Sequence, residues 1–464
     1  MGLFKFLQHA PYKESIKDPD RIKKEYRYWR LRIFYSMYIG YAFFYLTRKS
    51  FTFVMPAMII DLGFTKTDLG ILGSVLYMTY GISKFVSGVM SDRSNPRYFM
   101  GIGLILTGVF NILFGFSSSI FFFALFWGLN GWFQGWGWPP CARLLTHWYS
   151  QSERGTWWGV WNTSHNVGGA LIPLVVAVIA QSFGWRVAMY IPGLMCIAVG
   201  LYLINRLRDT PQSLGLPSVE KYRHELGKEK ENDGSLEQDE RELSRKELLL
   251  EFVLRNRYIW ILGVAYFFVY IVRTAVNDWG QLFLYEQKGF SLIAAGSCIF
   301  FFEAGGFFGS LAAGWFSDKF FAGRRGPINA FFALCVTLTV YALWLTPVGG
   351  VAIASGIMFL TGFFIFGPQM LIGVAAAELS HKKAAGTATG FIGWFAYFGA
   401  AAAGFPFGKI SQDYGWEAFI VALTACACLS TLCLIPLWSV KRRKVQAAPA
   451  VENHEISQNA IDAE

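Results

Sequence analysis

Charge is scarce in this chain. Only 16% of its 464 residues are Asp, Glu, Lys or Arg, where a soluble globular protein carries about a quarter. That excludes an ordinary soluble domain, and the 54% hydrophobic and 18% aromatic content shows what replaced the charge. The ten-residue alternating pattern of a lipid-facing strand is missing, which argues against a membrane barrel. None of the seven cysteines (141, 196, 298, 335, 426, 428, 433) forms a CxxC pair, and the six histidines show no ligand spacing. Neither disulfides nor a metal is expected, and the cysteines read as small core filler. No Gly-x4-Gly-Lys-Ser/Thr stretch exists, so ATP-driven transport is not expected. No catalytic dyad stands in a plausible pocket, so the chain does not read as an enzyme and no cofactor is expected. A cleavable signal peptide is also lacking, because the first thirty residues are charged and the first apolar run is too long for a signal core.

What is present is apolar length. Twelve runs of about 18 to 25 residues can each cross a bilayer as a helix. They begin near residues 32, 66, 98, 119, 155, 185, 257, 292, 326, 350, 383 and 416. The fold class is an all-α membrane protein of twelve transmembrane helices, embedded in the lipid bilayer.

The net charge of +10 is a matter of placement, not of nucleic-acid binding. Of 41 Lys and Arg, 33 fall in the termini and in loops on one face of the twelve-span arrangement. The opposite face receives Lys66, Arg186, Lys288 and Lys409. This is the positive-inside bias, so both termini and the long central loop are expected to be cytoplasmic. The expected location is the inner membrane, as a multi-pass protein, and a monomer is expected.

The spans form two sets of six. Residues 208–254 are polar and mixed in charge, which reads as a flexible linker with a short amphipathic helix near 243–254. The organisation expected is a basic N-terminal segment (1–31), an N-terminal half (32–207), the linker (208–254), a C-terminal half (255–440) and a polar tail (441–464). The halves repeat. "YAFFYLTR" at 41–48 matches "YFFVYIVR" at 266–273, "GVMSDR" at 88–93 matches "GWFSDK" at 314–319, and "RGTWWGVW" at 154–161 weakly matches "AGTATGFI" at 385–392. Repeated halves are the sequence mark of a transporter fold, with the first helix of each half facing the other across a central cavity.

The first repeat places Arg48 and Arg273 each about sixteen residues into a span, near mid-bilayer at about 1.5 Å per residue. Such an arginine costs about 2.5–3.5 kcal/mol to insert, so it must face a cavity and a partner. Two guanidiniums opposed at about 8 Å repel by roughly 2 kcal/mol, which an anion between them removes. The guanidinium fork matches phosphate oxygens, so the pair reads as a phosphate clamp. Tyr41 and Tyr45 lie on the face of Arg48, and Tyr266 and Tyr270 on that of Arg273. The bland alternative is that each arginine holds a carboxylate and only ties helices together. Asp278 and Glu303 are the acids available, but Lys49 and Lys84 compete for them, leaving two surplus positive charges. His165, about ten residues into the fifth span, reads as a donor to phosphate or as a packing histidine. The surrounding glycines read as close helix packing, and the aromatic surplus as lipid-facing or interfacial.

The stretch Gly88-x3-Asp92-Arg93-x3-Arg97 resembles the loop signature of the major facilitator superfamily, with Asp318 in its degenerate second copy. Within that superfamily, "GYAFFYLTRKSF", "YGISKFVSGVMSDRSNPR", "WNTSHNVGGA", "YIVRTAVNDWG", "FGPQMLIG" and "KKAAGTATGF" look like the organophosphate:phosphate antiporters. The resemblance runs from about residue 30 to 440. It implies exchange of an organic phosphate for inorganic phosphate by alternating access. It also implies clamp arginines at Arg48 and Arg273, a site histidine at His165, a cavity lysine at Lys84 and cavity tyrosines at Tyr41, Tyr45, Tyr80, Tyr270 and Tyr397. Lys49–Asp278 and Lys84–Glu303 would be its gating ion pairs. Phe366 and Gln369 stand where the glycerol-3-phosphate branch has tyrosine and valine, so the hexose-phosphate branch is favoured, with Gln369 facing a sugar hydroxyl. Glucose 6-phosphate is the expected sugar ester. Thr389 and Ile392 replace an acid and a lysine of the hexose-6-phosphate transporter. A hexose-phosphate receptor working with a sensor kinase therefore stays open, as does a glycerol-3-phosphate antiporter.

Overall fold

The computed structural model describes residues 7–92, 94–225, 250–321, 324–380 and 385–440. The N-terminal half consists of α1 (Pro19–Leu62), α2 (Lys66–Asp92), α3 (Pro96–Phe116), α4 (Ile120–Gln134), α5 (Trp138–Trp148), α6 (Gln151–Asn162), α7 (Ser164–Phe183) and α8 (Trp185–Arg206). After the short α9 (Val219–Glu225) come α10 (Arg257–Lys288), α11 (Leu292–Phe321), α12 (Arg325–Trp344), α13 (Val351–Leu379), α14 (Ala385–Ala402), α15 (Phe405–Asp413) and α16 (Gly415–Leu434). The pairs α4/α5, α6/α7 and α14/α15 are single crossings with a break, which gives twelve. Ten crossings are long and apolar enough to span a bilayer on length and composition, among the described residues. The other two are α1, whose apolar stretch carries Arg48 and Lys49, and the crossing interrupted at 135–137.

Local chemistry sets the helix ends. Asp18 caps α1 by accepting from the Asp20 amide at 3.1 Å, with Pro19 at the first helical position. Helices α1 and α10 both stop at a glycine in the left-handed region, Gly63 at φ 67° and Gly289 at φ 68°. That conformation costs glycine nothing and other residues strain. The two positions are 226 residues apart, the spacing of the "GVMSDR" and "GWFSDK" repeats. The duplication thus extends to the backbone.

The halves meet through α1 on α10, α7 on α11, and α2 on α14 and α15. Where α2 meets the α14/α15 break, backbones touch: a Cβ on Gly70 would lie 2.7 Å from the Gly404 carbonyl oxygen. Ser74 Oγ donates to the Ala401 carbonyl at 2.6 Å, and the Phe405 amide donates to Ser74 Oγ at 2.8 Å. At the outer rim Lys66 Nζ lies 2.7 Å from Glu286 Oε2, and Trp416 Nε1 donates to the same carboxylate at 2.9 Å. Among the described residues, the polar ties between halves lie at mid-depth or toward this end, away from the linker. The cavity is therefore sealed on that side.

Two expectations are corrected. The linker does not begin as a flexible chain at 208, because residues 208–225 fold against the N-terminal segment. Tyr26 Oη donates to the Pro217 carbonyl at 2.6 Å, and its ring stacks on Tyr222 at 3.9 Å. Most of the amphipathic helix expected near 243–254 lies outside the described residues; 250–254 form one helical turn. Nor are the aromatics mainly peripheral: Trp127, Trp148, Trp161 and Trp279 are among the largest fully buried side chains. Some rings pack directly on glycines of a neighbouring crossing, as Phe44 does on Gly137 and Phe366 on Gly306.

Candidate functional site

A cavity of about 220 Å³ lies between the halves, lined by Arg48, Lys84, His165, Arg273 and Gln369 with the tyrosines 41, 45, 80, 270 and 397. All ten residues expected to bind substrate are brought to this one cavity. Lys49 also reaches it.

Arg48 is held from behind. Its Nε donates to Gln134 Oε1 at 3.2 Å, and Gln134 Nε2 donates to Thr47 Oγ1 at 3.0 Å and Asn130 Oδ1 at 3.1 Å. The guanidinium lies over the rings of Tyr45 and Tyr80 at 4.4 and 4.5 Å. Among the described residues Arg273 is supported by aromatic rings alone, 4.7 Å over Phe366 and 5.8 Å from Tyr270. His165 Nδ1 pairs with the Asn162 carbonyl, which makes Nδ1 the donor and leaves Nε2 an acceptor on the neutral ring. Nε2 can take a hydrogen bond from a substrate hydroxyl, and donates to phosphate only after gaining a proton.

Among the described residues, four buried polar atoms here have no partner: Arg48 Nη2, Arg273 Nε, His165 Nε2 and Gln369 Oε1. Buried polar groups are nearly always satisfied, and each orphan costs about 1–3 kcal/mol. Four such atoms in one cavity, two from each half, suit a ligand with anionic acceptors and hydroxyl donors.

The acids stand deeper. Lys49 Nζ pairs with Asp278 Oδ1, and Tyr77 Oη donates to Asp278 Oδ2 at 2.7 Å. The expected Lys84–Glu303 pair does not form. Glu303 is 1% exposed and accepts from Asn277 Nδ2 at 2.6 Å and Asn166 Nδ2 at 3.3 Å. Lys84 Nζ instead donates to Tyr397 Oη at 3.2 Å, beside the Trp138 ring. Depth explains this. Glu303 is the repeat counterpart of Tyr77, 226 residues on, and Lys84 lies two turns, about 10 Å, further along α2.

In the loop signature, Arg97 Nε donates to the Ile204 carbonyl at the end of α8. Gly88 borders open space, while Arg93 and the Asp92 side chain lie outside the described residues. In the second copy Arg325 joins Asp318 at 2.7 Å and Glu378 at 3.2 Å. Sequence reasoning missed Gln134, Tyr77, Trp138, Asn162 and Ser310. The repeat offered one signal, since Ser310 is Lys84 shifted by 226.

Residues 37–404 match the Major Facilitator Superfamily. The chain belongs to that superfamily. It is similar to a superfamily-sized relative along nearly its whole length: the probable hexose phosphate transport protein of Chlamydia trachomatis serovar D is 59% identical over 447 residues, 95% of this chain and 98% of that one. The membrane sensor protein UhpC of Escherichia coli K12 is 51% identical, over 93% of this chain and 97% of its own. The glycerol-3-phosphate transporter of Bacillus subtilis is 39% identical, over 95% and 99%. Among solved structures, a bacterial homologue of the human lysosomal transporter Spinster, inward-facing and unoccupied, matches with a TM-score of 0.71 at 16% identity, over 88% of this chain and 95% of that one. This last likeness shows the superfamily fold.

Proposed function

We propose that the protein takes up hexose 6-phosphate, glucose 6-phosphate foremost, in exchange for inorganic phosphate by alternating access. The observation that carries this is the set of four orphaned polar atoms in one cavity, two from each half. Arg48 and Arg273 grip the phosphoryl oxygens from the two halves, and Gln369 and His165 accept sugar hydroxyls. The charge balance agrees. Arg48, Lys49, Lys84 and Arg273 against Asp278 and Glu303 leave two positive charges, and a phosphate monoester carries about −1.5 to −2 at neutral pH. With no anion bound, the surplus opposes the closing of the halves around the cavity, so reorientation follows loading. This is the physical basis for exchange rather than free uptake.

The positive-inside bias puts the linker end in the cytoplasm. The sealed opposite end supports reading the cavity as open to the cytoplasm, in a protein that acts as a monomer in the inner membrane. A second reading is favoured by the 51% identity to a membrane sensor and by Thr389 and Ile392. In that reading the protein binds hexose phosphate and signals to a kinase. Proteoliposomes separate the two. Uptake of glucose 6-phosphate that requires internal phosphate supports the exchanger. Equal uptake with and without internal phosphate overturns obligatory exchange, and ligand binding without uptake supports the sensor.

A further inference from the structure

Three arginines from three elements converge at the linker end of the N-terminal half, on the last turn of α8. Arg97 donates to the Ile204 carbonyl. Arg32 donates to the Asn205 carbonyl at 3.3 Å, and Arg208 to the same oxygen at 2.8 Å and to the Leu207 carbonyl at 2.6 Å. Arg32 and Arg208 both lie against the Trp29 ring, at 4.7 and 5.1 Å. Among the described residues none of the three has a carboxylate partner. The nearby Glu25 accepts from Trp29 Nε1 at 2.9 Å. Burial, then Arg97 and Arg32, push the Arg208 pKa down, the mark of like charges crowded together. A helix C-terminus carries about half an elementary charge, too little to balance three guanidiniums.

The surroundings fix what does balance them. On the exposed face of α1, Lys23, Lys24 and Arg27 line a groove with Tyr28, Leu31, Arg32 and Tyr35, and Asp20 is its one acid. Leu31, Tyr35 and Ile39 continue that face, 52%, 41% and 37% exposed. Leu201 on α8 is exposed as well. Cations at one end and a bare apolar stripe at the other match an amphiphile with an anionic head and acyl chains.

We propose that Arg32, Arg97 and Arg208 bind the phosphodiester of an anionic phospholipid, whose chains lie along Leu31, Tyr35 and Ile39. The site is separate from the central cavity and does not depend on which substrate the protein carries. The test is native mass spectrometry of the full chain released from bilayers holding equal phosphatidylglycerol and phosphatidylcholine. Phosphatidylglycerol should be enriched on the parent protein. Arg32→Gln/Arg208→Gln should lower its occupancy by at least about tenfold, since each cation near an anionic headgroup contributes about fivefold. Phosphatidylcholine should be unaffected, and millimolar inorganic phosphate should not displace the bound lipid. Equal retention of both lipids, or unchanged retention in the double variant, overturns the proposal. Displacement by inorganic phosphate overturns it too, by reassigning the cluster to free anions. A parent-like thermal melt and gel-filtration profile checks that the variant is folded, and Arg208→Gln alone, with about a fivefold loss, serves if the double variant is not.

Discussion

The two halves of this molecule share a backbone and divide its chemistry. Each contributes one membrane arginine from the same place in its first helix. Arg48 is braced by Gln134 and two tyrosine rings, whereas Arg273 leans on Phe366 and Tyr270. Among the described residues, the three acids that tie the halves, Asp278, Glu286 and Glu303, are on the C-terminal side. Their partners across the interface, Lys49, Tyr77, Lys66 and Asn166, are all on the N-terminal side. At matched positions Tyr77 faces the interface where the other half has Glu303, and Lys84 lines the cavity where it has Ser310. Duplication fixed where the polar groups point, and divergence decided which sign each half carries. An interface of opposite signs holds two bodies together and still lets them rock.

The sharpest way to break this comparison is to remove an acid from one side only. Asp278→Asn leaves the Lys49 ammonium buried without a counter-charge, which costs about 3–5 kcal/mol. Thermal unfolding should shift down strongly, and Lys49→Leu/Asp278→Leu should recover most of the loss. A single variant as stable as the parent would mean the buried pair does not tie the halves.

The arginines come next. Arg48→Lys or Arg273→Lys keeps the charge but loses the fork, and phosphate counterflow should fall at least about tenfold, about 1.4 kcal/mol. Near-normal exchange in Arg273→Lys would sink the paired clamp. Gln134→Leu tests the difference between the two arms. It frees Arg48 alone and should reduce exchange about fivefold, about 1 kcal/mol for one hydrogen bond.

A smaller effect is expected at Gln369, where selectivity rather than capture is at stake. Gln369→Val should weaken hexose phosphate uptake about threefold to tenfold more than phosphate self-exchange, the range of one hydrogen bond. Equal losses would point to packing. The smallest belongs to the rim: Glu286→Gln removes a partly exposed pair with Lys66 and should change stability by no more than about 1 kcal/mol. A larger loss of stability would make the rim pair a main tie between the halves.

The sequence by itself determined the twelve crossings, the duplication, the places of Arg48 and Arg273 along their helices and ten of the residues that line the cavity, though not Tyr77, Trp138, Asn162 or Ser310. Hydrophobic length and helical period are one-dimensional properties, and a repeated octet keeps its depth wherever its half is placed. Even the stops at Gly63 and Gly289 are local. Only the tertiary structure decided which base meets which acid. Lys49 reaches Asp278, but Lys84 turns to Tyr397 because it sits two turns of α2 away from Glu303. Gln134 was invisible as a brace because it comes from another helix, at a break that the sequence alone does not aim. The seal at one end was equally out of sight, since it depends on Gly70 meeting Gly404 across halves more than 300 residues apart in the chain. Contacts between bodies depend on rotation and depth together, and those are set when the two halves pack.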